Sequence, residues 1–390
     1  MPALLTALSH LGLAVETTPG TAVTATGHIP VTRFRPQDVP KYVPDTGYRG
    51  QPVETYGEYL SVKSSTYEID GGFYPGSGGN LLGGLFGQES TIGTPVSAGV
   101  STTLSAASVA GATTVTVAAA VAVNDVIQID TGAVAEVRTV TATSGTYTLT
   151  LSAPLSFGHA SSKAVVQVQA PYTHTFQTIA RPPTYTLSDY YVAGGRQWPG
   201  SRVENLTLKF TADGGLLHTT RYLGWPSTTY VPATTYAFGT DPYFLGWEAT
   251  VKLDGTQDAA LETFSLDLKR QRSQALFSAQ NSQEPYDILV GPLDATLTLG
   301  FYMEGDTEYA YALSQGTHTV AVTVTQPGTN DILTLTASAV QFTRPTIDRA
   351  KEWVIVEIQG TGIYNTTDGS VASATLQNAV GSGYTALAAS

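Results

Sequence analysis

Six histidines, His10, His28, His159, His174, His218 and His318, are the side chains best suited to hold a metal or move a proton near neutral pH. They are scattered, with no H-x-x-x-H or H-x-H pair to bring two imidazoles onto one face of an element. They read as satisfied or exposed histidines. Carboxylates recur beside glycine in Asp70-Gly71, Asp213-Gly214, Asp254-Gly255 and Asp368-Gly369. A glycosidase needs two carboxylates across a cleft. Asp-Gly is also a leading hairpin turn, and each pair sits between predicted strands, so turn chemistry is the better reading. Gly76-Ser77-Gly78-Gly79 lacks a following basic residue and matches neither a phosphate loop nor the G-x-S-x-G elbow. A turn between a strand and a short helix is expected there. Asn205-Leu206-Thr207 and Asn365-Thr366-Thr367 match a glycosylation sequon, with no secretory signal to support its use. The chain has no cysteine, which removes thiol nucleophiles, cysteine zinc sites and disulfides. No catalytic residues, cofactor or metal are expected.

The elements that would carry such residues are strands. Charged residues make up 13% of the 390, about half of the ~25% in ordinary soluble domains. The polar load falls on Thr, Ser, Gly, Gln and Tyr, and 39 glycines and 21 prolines supply turns. A hydrophobic content of 42% is too high for a disordered chain. The net charge of −12 argues against general attraction to nucleic acid or anionic lipid. No run approaches the ~18 apolar residues of a membrane helix, and Met1–Leu13 lacks the basic start of a signal peptide.

Along the chain, residues 16–30 read as an extended arm without helical period. Residues 35–57 hold Pro36, Pro40, Pro44 and Pro52 and are expected as a long loop or edge segment, ordered by a neighbouring subunit or free. A strand at Tyr67–Asp70 precedes a short helix over Asn80–Phe86, with Asn80 as N-cap and Gly87 as stop. After Gly93-Thr94-Pro95 the composition turns Ala/Thr/Val-rich. Five short strands are expected at 113–117, 126–130, 136–141, 147–151 and 164–168, closed by Ala170-Pro171. Long strands follow at 202–211 and 216–222, then at 248–253, 262–268, 296–302, 319–325, 332–337 and 353–359, with 273–279 ambiguous. Gly72-Phe73-Tyr74 with Leu81-Leu82 is echoed by Gly300-Phe301-Tyr302 with Tyr311-Ala312-Leu313. Each echo lies upstream of a long strand, 202–211 in one half and 353–359 in the other, which points to a duplication. The fold class is all-β: two sandwich or barrel modules in tandem with an inserted small β-sandwich domain. The first module takes 1–96 and 170–238, the Ig-like insert 97–169, and the second module 239–390.

Glu16-Thr17-Thr18-Pro19-Gly20-Thr21-Ala22-Val23, followed by Ile29-Pro30-Val31, resembles the N-terminal signature of tail tube proteins of long-tailed, siphovirus-type bacteriophages. The resemblance continues through 72–87, His174-Thr175-Phe176, Pro183–Thr186 and Pro199–Asn205, and ends in Ile363–Gly369 and Thr375–Asn378. It implies a sandwich whose inner sheet closes with its neighbours' sheets into a barrel around a channel. Rings would stack through N-terminal arms, long loops and C-terminal segments. It also implies a virion component assembled in the host cytoplasm, with tape measure, tail-tip and terminator proteins as partners. Two fused modules would make a ring of three chains, a pseudo-hexamer. DNA would pass through the lumen without specific binding, and no membrane is involved. The candidate contacts between rings and subunits are Glu16, Thr17, Thr18, Pro19, Gly20, Thr21, Tyr42, Tyr48, Arg49 and Tyr56. Glu68, Asp70, Glu262, Asp267 and Glu357 are the candidate acids of a lumen wall that repels phosphate. The insert is expected on the outside. A surface adhesin or fibre that binds host glycan through its 21 tyrosines and four tryptophans is the alternative.

Overall fold

The computed structural model of the protein describes residues 8–92, 100–131, 134–169, 172–191, 194–230, 238–239, 242–258, 260–305, 309–310, 313, 316–327, 331–349, 352–380 and 383–385. The expected linkers Gly93-Thr94-Pro95 and Ala170-Pro171, and Tyr311-Ala312 of the echo, lie outside these residues.

The chain opens with β1 (His10–Val15), β2 (Gly27–Ile29), β3 (Arg33–Asp45) and β4 (Gly57–Gly72), then α1 (Pro75–Phe86) and β5 (Gly87–Ile92). Next come β6 (Ser101–Thr103), β7 (Thr114–Thr116), β8 (Val126–Ile129), β9 (Glu136–Ser144), β10 (Thr148–Leu151) and β11 (Ala164–Gln169). These six pair only with one another, in the order β6-β11-β8-β9-β10-β7, and the bridge Leu104–Val117 joins the two ends. They enclose a core of their own, including Val115, Ile127, Ile129, Val140, Leu149 and Val165. The chain continues with β12 (Tyr172–Thr178), β13 (Tyr185–Tyr191), β14 (Gly194–Thr211), β15 (Leu217–Gly224) and β16 (Thr228–Tyr230). The remaining strands are β17 (Ala249–Leu253), β18 (Thr256–Asp258), β19 (Leu261–Arg270), β20 (Gln274–Leu276), β21 (Asp287–Leu289), β22 (Leu293–Tyr302), β23 (His318–Thr325), β24 (Ile332–Asp348), β25 (Ile355–Gly362) and β26 (Ser373–Asn378).

Pairing reveals one plan used twice. Strands β3-β4-β15-β14 lie side by side, and β14 pairs with β19, which begins the series β19-β22-β25-β24. Both β14 and β24 are long, and both change partners midway. Their first halves pair with β13 and β23, their second halves with β15 and β25. β13 in turn pairs with β1 of the β1–β2 hairpin, and β23 with β17 of the β17–β18 hairpin. The Gly-Phe-Tyr segments end β4 and β22, each followed by helical residues, α1 in one half and Tyr309, Ala310 and Leu313 in the other. The true counterpart of β14 is therefore β24. The 353–359 segment matched to it from sequence forms β25, the counterpart of β15.

Alternation builds the core. Every second residue of the inner strands, among them Tyr67, Ile69, Leu206, Leu208, Leu266, Leu268, Leu297 and Leu299, is buried against the outer strands and α1. α1 starts earlier than the sequence implied. Pro75 occupies its first turn, where a missing N–H costs nothing, and Gly87 stops it with φ 96°. The run Gly76–Gly79 is helix, not turn, and its glycines let the helix settle closely. A methyl on Gly84 would stand 2.7 Å from Val203 Cγ2, and one on Gly79 would meet the Tyr384 ring.

Asp70-Gly71 is likewise no turn. It lies inside β4, where a Gly71 methyl would stand 3.0 Å from the Pro30 carbonyl. Of the two expectations for 35–57, a long loop or an edge segment, the edge segment holds for most of it: residues 33–45 pair with 57–70, leaving 46–56 as the hairpin tip. The prolines permit this by their spacing. Asp45 turns its carbonyl toward β4, where it accepts the Tyr56 N–H at 2.8 Å. Odd positions of β3 therefore face β4, and Pro36, Pro40 and Pro44 point their missing donors away from it, as an edge strand allows.

Candidate functional site

The inner sheet has one face packed on the core and one open face built largely of polar side chains. A single cross-strand row traverses it: Arg33, Asp70, Thr219, Thr207, Asp267, Thr296, Thr361 and Gln341, each opposite the next. Adjacent rows add Arg35, Glu68, Arg221, Asn205, Lys269 and Asp294 on one side, and Lys209, Ser265, Thr298, Gln359 and Thr343 on the other.

Four of the five acids singled out from sequence, Glu68, Asp70, Asp267 and Glu357, share this face, because each alternates with buried core residues on its strand. Glu262 does not follow them. It sits at the register irregularity between Leu261 and Thr263, with Oε2 buried. The face is not purely acidic. Arg33 pairs with Asp70 and, at 3.6 Å, with Glu68; Arg35 lies 3.4 Å from Glu68, and Arg221 lies 3.2 Å from Glu204. Partial burial pushes the Asp70 carboxyl up, but the Thr219 hydroxyl and the Arg33 guanidinium outweigh it and hold it below the usual carboxylate range. Asn205 and Thr207 both donate to Asp267 Oδ1, at 2.8 and 2.6 Å. The result is a hydrophilic surface whose charges are largely matched within it.

The residues proposed as contacts separate into two groups. Glu16 is buried, and its carboxylate accepts the Gly20 N–H at 2.8 Å, the Gly200 N–H at 2.8 Å and the Thr186 hydroxyl at 2.7 Å. Gly20 takes φ +79° beneath the Trp225 ring, where a side chain would clash. This knot ties the start of the arm to β13 and β14 of its own chain, so residues 16–20 of the expected extended arm form a docked turn. Thr17, Thr18, Pro19 and Thr21 remain exposed around it. Tyr42 and Tyr48 are exposed on the β3–β4 hairpin. At its tip Arg49 pairs with Asp45 and lies over the Tyr56 ring at 4.7 Å, while Tyr56 donates to the Gln51 carbonyl at 3.3 Å.

Sequence reasoning missed three buried polar clusters, because their members are far apart in the chain. His174 is flanked by Glu89 through Nδ1, and by Asn378 Oδ1 at 3.2 Å and the Val380 carbonyl at 2.8 Å through Nε2. Asn378 donates to the Pro75 carbonyl and the Tyr384 hydroxyl, both at 2.7 Å, which pins the C-terminal segment to α1. Arg270 donates to the Leu85 carbonyl at 2.7 Å and to Phe86 at 3.0 Å, capping the end of α1 from the second half; burial lowers its pKa to about 10. In the six-stranded unit His159 lies between Glu136 at 2.7 Å and Asp130 at 3.3 Å. All three are enclosed and internally bonded, which suits them to hold segments together rather than meet a substrate. Among the described residues, no group of three or more His, Asp or Glu side chains is arranged to hold a metal ion.

The sequence profile of the phage tail tube protein family matches residues 6–362. No curated protein matches the chain.

Proposed function

The chain belongs to the phage tail tube protein family, and from that premise we propose that it forms rings of three chains that stack into a DNA-conducting tube of a long-tailed phage. Membership makes it a structural component of the virion tail that assembles with itself into a tube. The observation that carries the finer reading is the repeated plan. Two four-stranded units stand side by side in one sheet, each the unit that a single-module relative would supply to a ring of six. Among the described residues the outer edge of β3 and that of β24 from 341 to 347 pair with nothing, so each end of the sheet awaits a neighbour. Exposed edges are a liability in a free subunit and become joints in a closed ring.

On this reading the open polar face lines the lumen. Its cations are balanced by carboxylates, so it offers no net basic stripe from which DNA would displace counterions, and the duplex slides without sticking. The division into a first module (1–96 and 170–238), an insert (97–169) and a second module (239–390) is part of the same proposal. The insert then stands on the outer surface, where a closed six-stranded unit leaves the channel open. Assembly in the host cytoplasm and contacts with tape measure, tail-tip and terminator proteins follow from the family role.

Negative-stain electron microscopy of the concentrated protein, with rotational averaging of end-on views, tests the reading. Hollow tubes with three outer knobs per ring are expected. Six knobs would keep the tube and sink the three-chain ring. Compact particles without a lumen under every assembly condition would favour the glycan-binding adhesin instead.

A further inference from the structure

The seam between the two units inside one chain contains a template for the seam between chains. We infer that β24 of one copy pairs antiparallel with β3 of the next in the register of β14 on β19, placing Thr343 opposite Arg35 and Thr346 opposite Arg33. This inference rests on the ring reading above and adds the residues that close the ring.

The register follows from aligning the two units on their shared glycine, Gly72 of β4 with Gly300 of β22. Arg33 faces Asp70 and Ser265 faces Thr298, each two residues before that glycine, so Arg33 corresponds to Ser265. Leu217 faces Gly72 and Glu357 faces Gly300; their partners across the next ladder, Lys209 and Thr346, therefore correspond. Inside the chain Lys209 faces Ser265, which puts Thr346 of one copy opposite Arg33 of another. Two positions on, Thr207 faces Asp267, and their counterparts are Thr343 and Arg35. The irregularity of β24 between Thr343 and Thr346 absorbs the one-residue difference in length.

Side-chain chemistry at these positions is complementary with its polarity exchanged. In the internal seam the carboxylate of Asp267 accepts from Asn205 and Thr207. In the seam between copies the corresponding trio is Arg35, Gln341 and Thr343. A guanidinium replaces the carboxylate and donates, while the Gln341 amide oxygen and the Thr343 hydroxyl accept. Arg35 has freedom to do this, since its side chain is 55% exposed and its ion-pair partner among the described residues is Glu68, at 3.4 Å. Pro36 corresponds to Leu268, which is fully buried in the internal seam, yet Pro36 is exposed in the free subunit. Its exposure marks the side from which a neighbour is missing.

The absence of cysteine makes the test clean. Odd residues of β3 turn their backbone groups toward β4, so Arg33 and Arg35 would form non-hydrogen-bonded pairs with the second copy. Their Cα atoms would then stand about 4.5 Å from their partners, within reach of a disulfide. Arg33→Cys with Thr346→Cys, and separately Arg35→Cys with Thr343→Cys, would be assembled under reduction, checked for tubes by electron microscopy, oxidised and run on denaturing gels without reductant. Most of the monomer band is expected to move into chain-to-chain cross-links in both. A shifted pair, Gln37→Cys with Thr346→Cys, should leave it in place. Tubes whose shifted pair cross-links as well as the matched pairs, or whose matched pairs stay monomeric, would overturn the register and leave the tube reading intact. Failure of the unmutated chain to form tubes would overturn both.

Discussion

Replacing Glu16 with alanine tests whether the arm is docked before assembly. The side chain is 3% exposed and satisfies three donors: the N–H groups of Gly20 and Gly200 and the hydroxyl of Thr186. A buried donor left without an acceptor costs about 1–3 kcal/mol, and bonds to a charged group lie at the upper end of that range. A water entering the vacated volume would offset part of the loss. The net destabilisation expected for Glu16→Ala is about 3–5 kcal/mol. Glu16→Gln keeps the volume but turns an N–H₂ group toward one of the donors, and should lose about 1–2 kcal/mol. Urea unfolding followed by tryptophan fluorescence measures this, with Trp225, one of four tryptophans, packed over both Gly20 and Gly200. Limited proteolysis supplies the second readout: residues 17–26 should resist cleavage in the unassembled wild type and become the first site cut in the alanine variant. Equal unfolding midpoints together with equally rapid cleavage would show that the knot does not exist in the free subunit, and that neighbours order the arm.

Three further outcomes follow from buried groups and close contacts. Burial holds His218 down at about 4, below the 6.5 of a free imidazole. The unfolded chain therefore takes up the proton first, so stability is undiminished above pH ~6.5 and falls by about 2–3 kcal/mol as the pH drops to 4.5. His218→Asn should flatten that difference in urea midpoints, and parallel losses in both proteins would exonerate the histidine. Within α1, Gly84→Ala should destabilise by about 1–3 kcal/mol through contact with Val203, while Gly76→Ala, with nothing within 4 Å of its added methyl, should be neutral or stabilising by up to ~1 kcal/mol. Thermal melts that give both substitutions the same sign would contradict the packing of the helix. Arg270→Met removes the donors that cap α1 at Leu85 and Phe86 and should cost about 2–4 kcal/mol in urea unfolding; an unchanged midpoint would mean that the cap contributes nothing.

Local patterns survive the passage from sequence to structure where a residue's neighbours in the chain decide its conformation. Alternation over 202–211 and the Asp213-Gly214 turn give the β14–β15 hairpin, and Asp254-Gly255 turns β17 into β18 with both residues at positive φ. All five strands expected within 113–168 are present, joined by the short β6. The errors share a cause. Gly71 and the Gly76–Gly79 run look like punctuation, but these glycines make room for chain from elsewhere: Pro30 against Gly71, Phe73 and Tyr384 against the helix. Pro345 hid the extension of β24 to Asp348, because the bulge that accommodates it depends on pairing with β25. The repeat in the sequence amounts to three residues, while the repeated plan of the structure lies in the order of strands, which no local window contains.

The prolines of β3 connect that order to assembly. An exposed edge with every N–H available would pair with any strand it met. Pro36, Pro40 and Pro44 delete alternate outward donors, leaving those of Phe34, Asp38 and Tyr42, while each proline keeps its carbonyl. In the proposed register the neighbour's Phe342 can donate to Pro36 but receives nothing in return, so the seam between chains is weaker per residue than the seven-pair ladder of β14 on β19. A single weak seam favours a dissociated subunit. A ring of three closes three seams at once, the last without further loss of translational freedom, and so gains more than the sum of separate contacts. Edge prolines that read as loop formers in the sequence are thus compatible with a subunit that stays apart at low concentration and closes only as a complete ring.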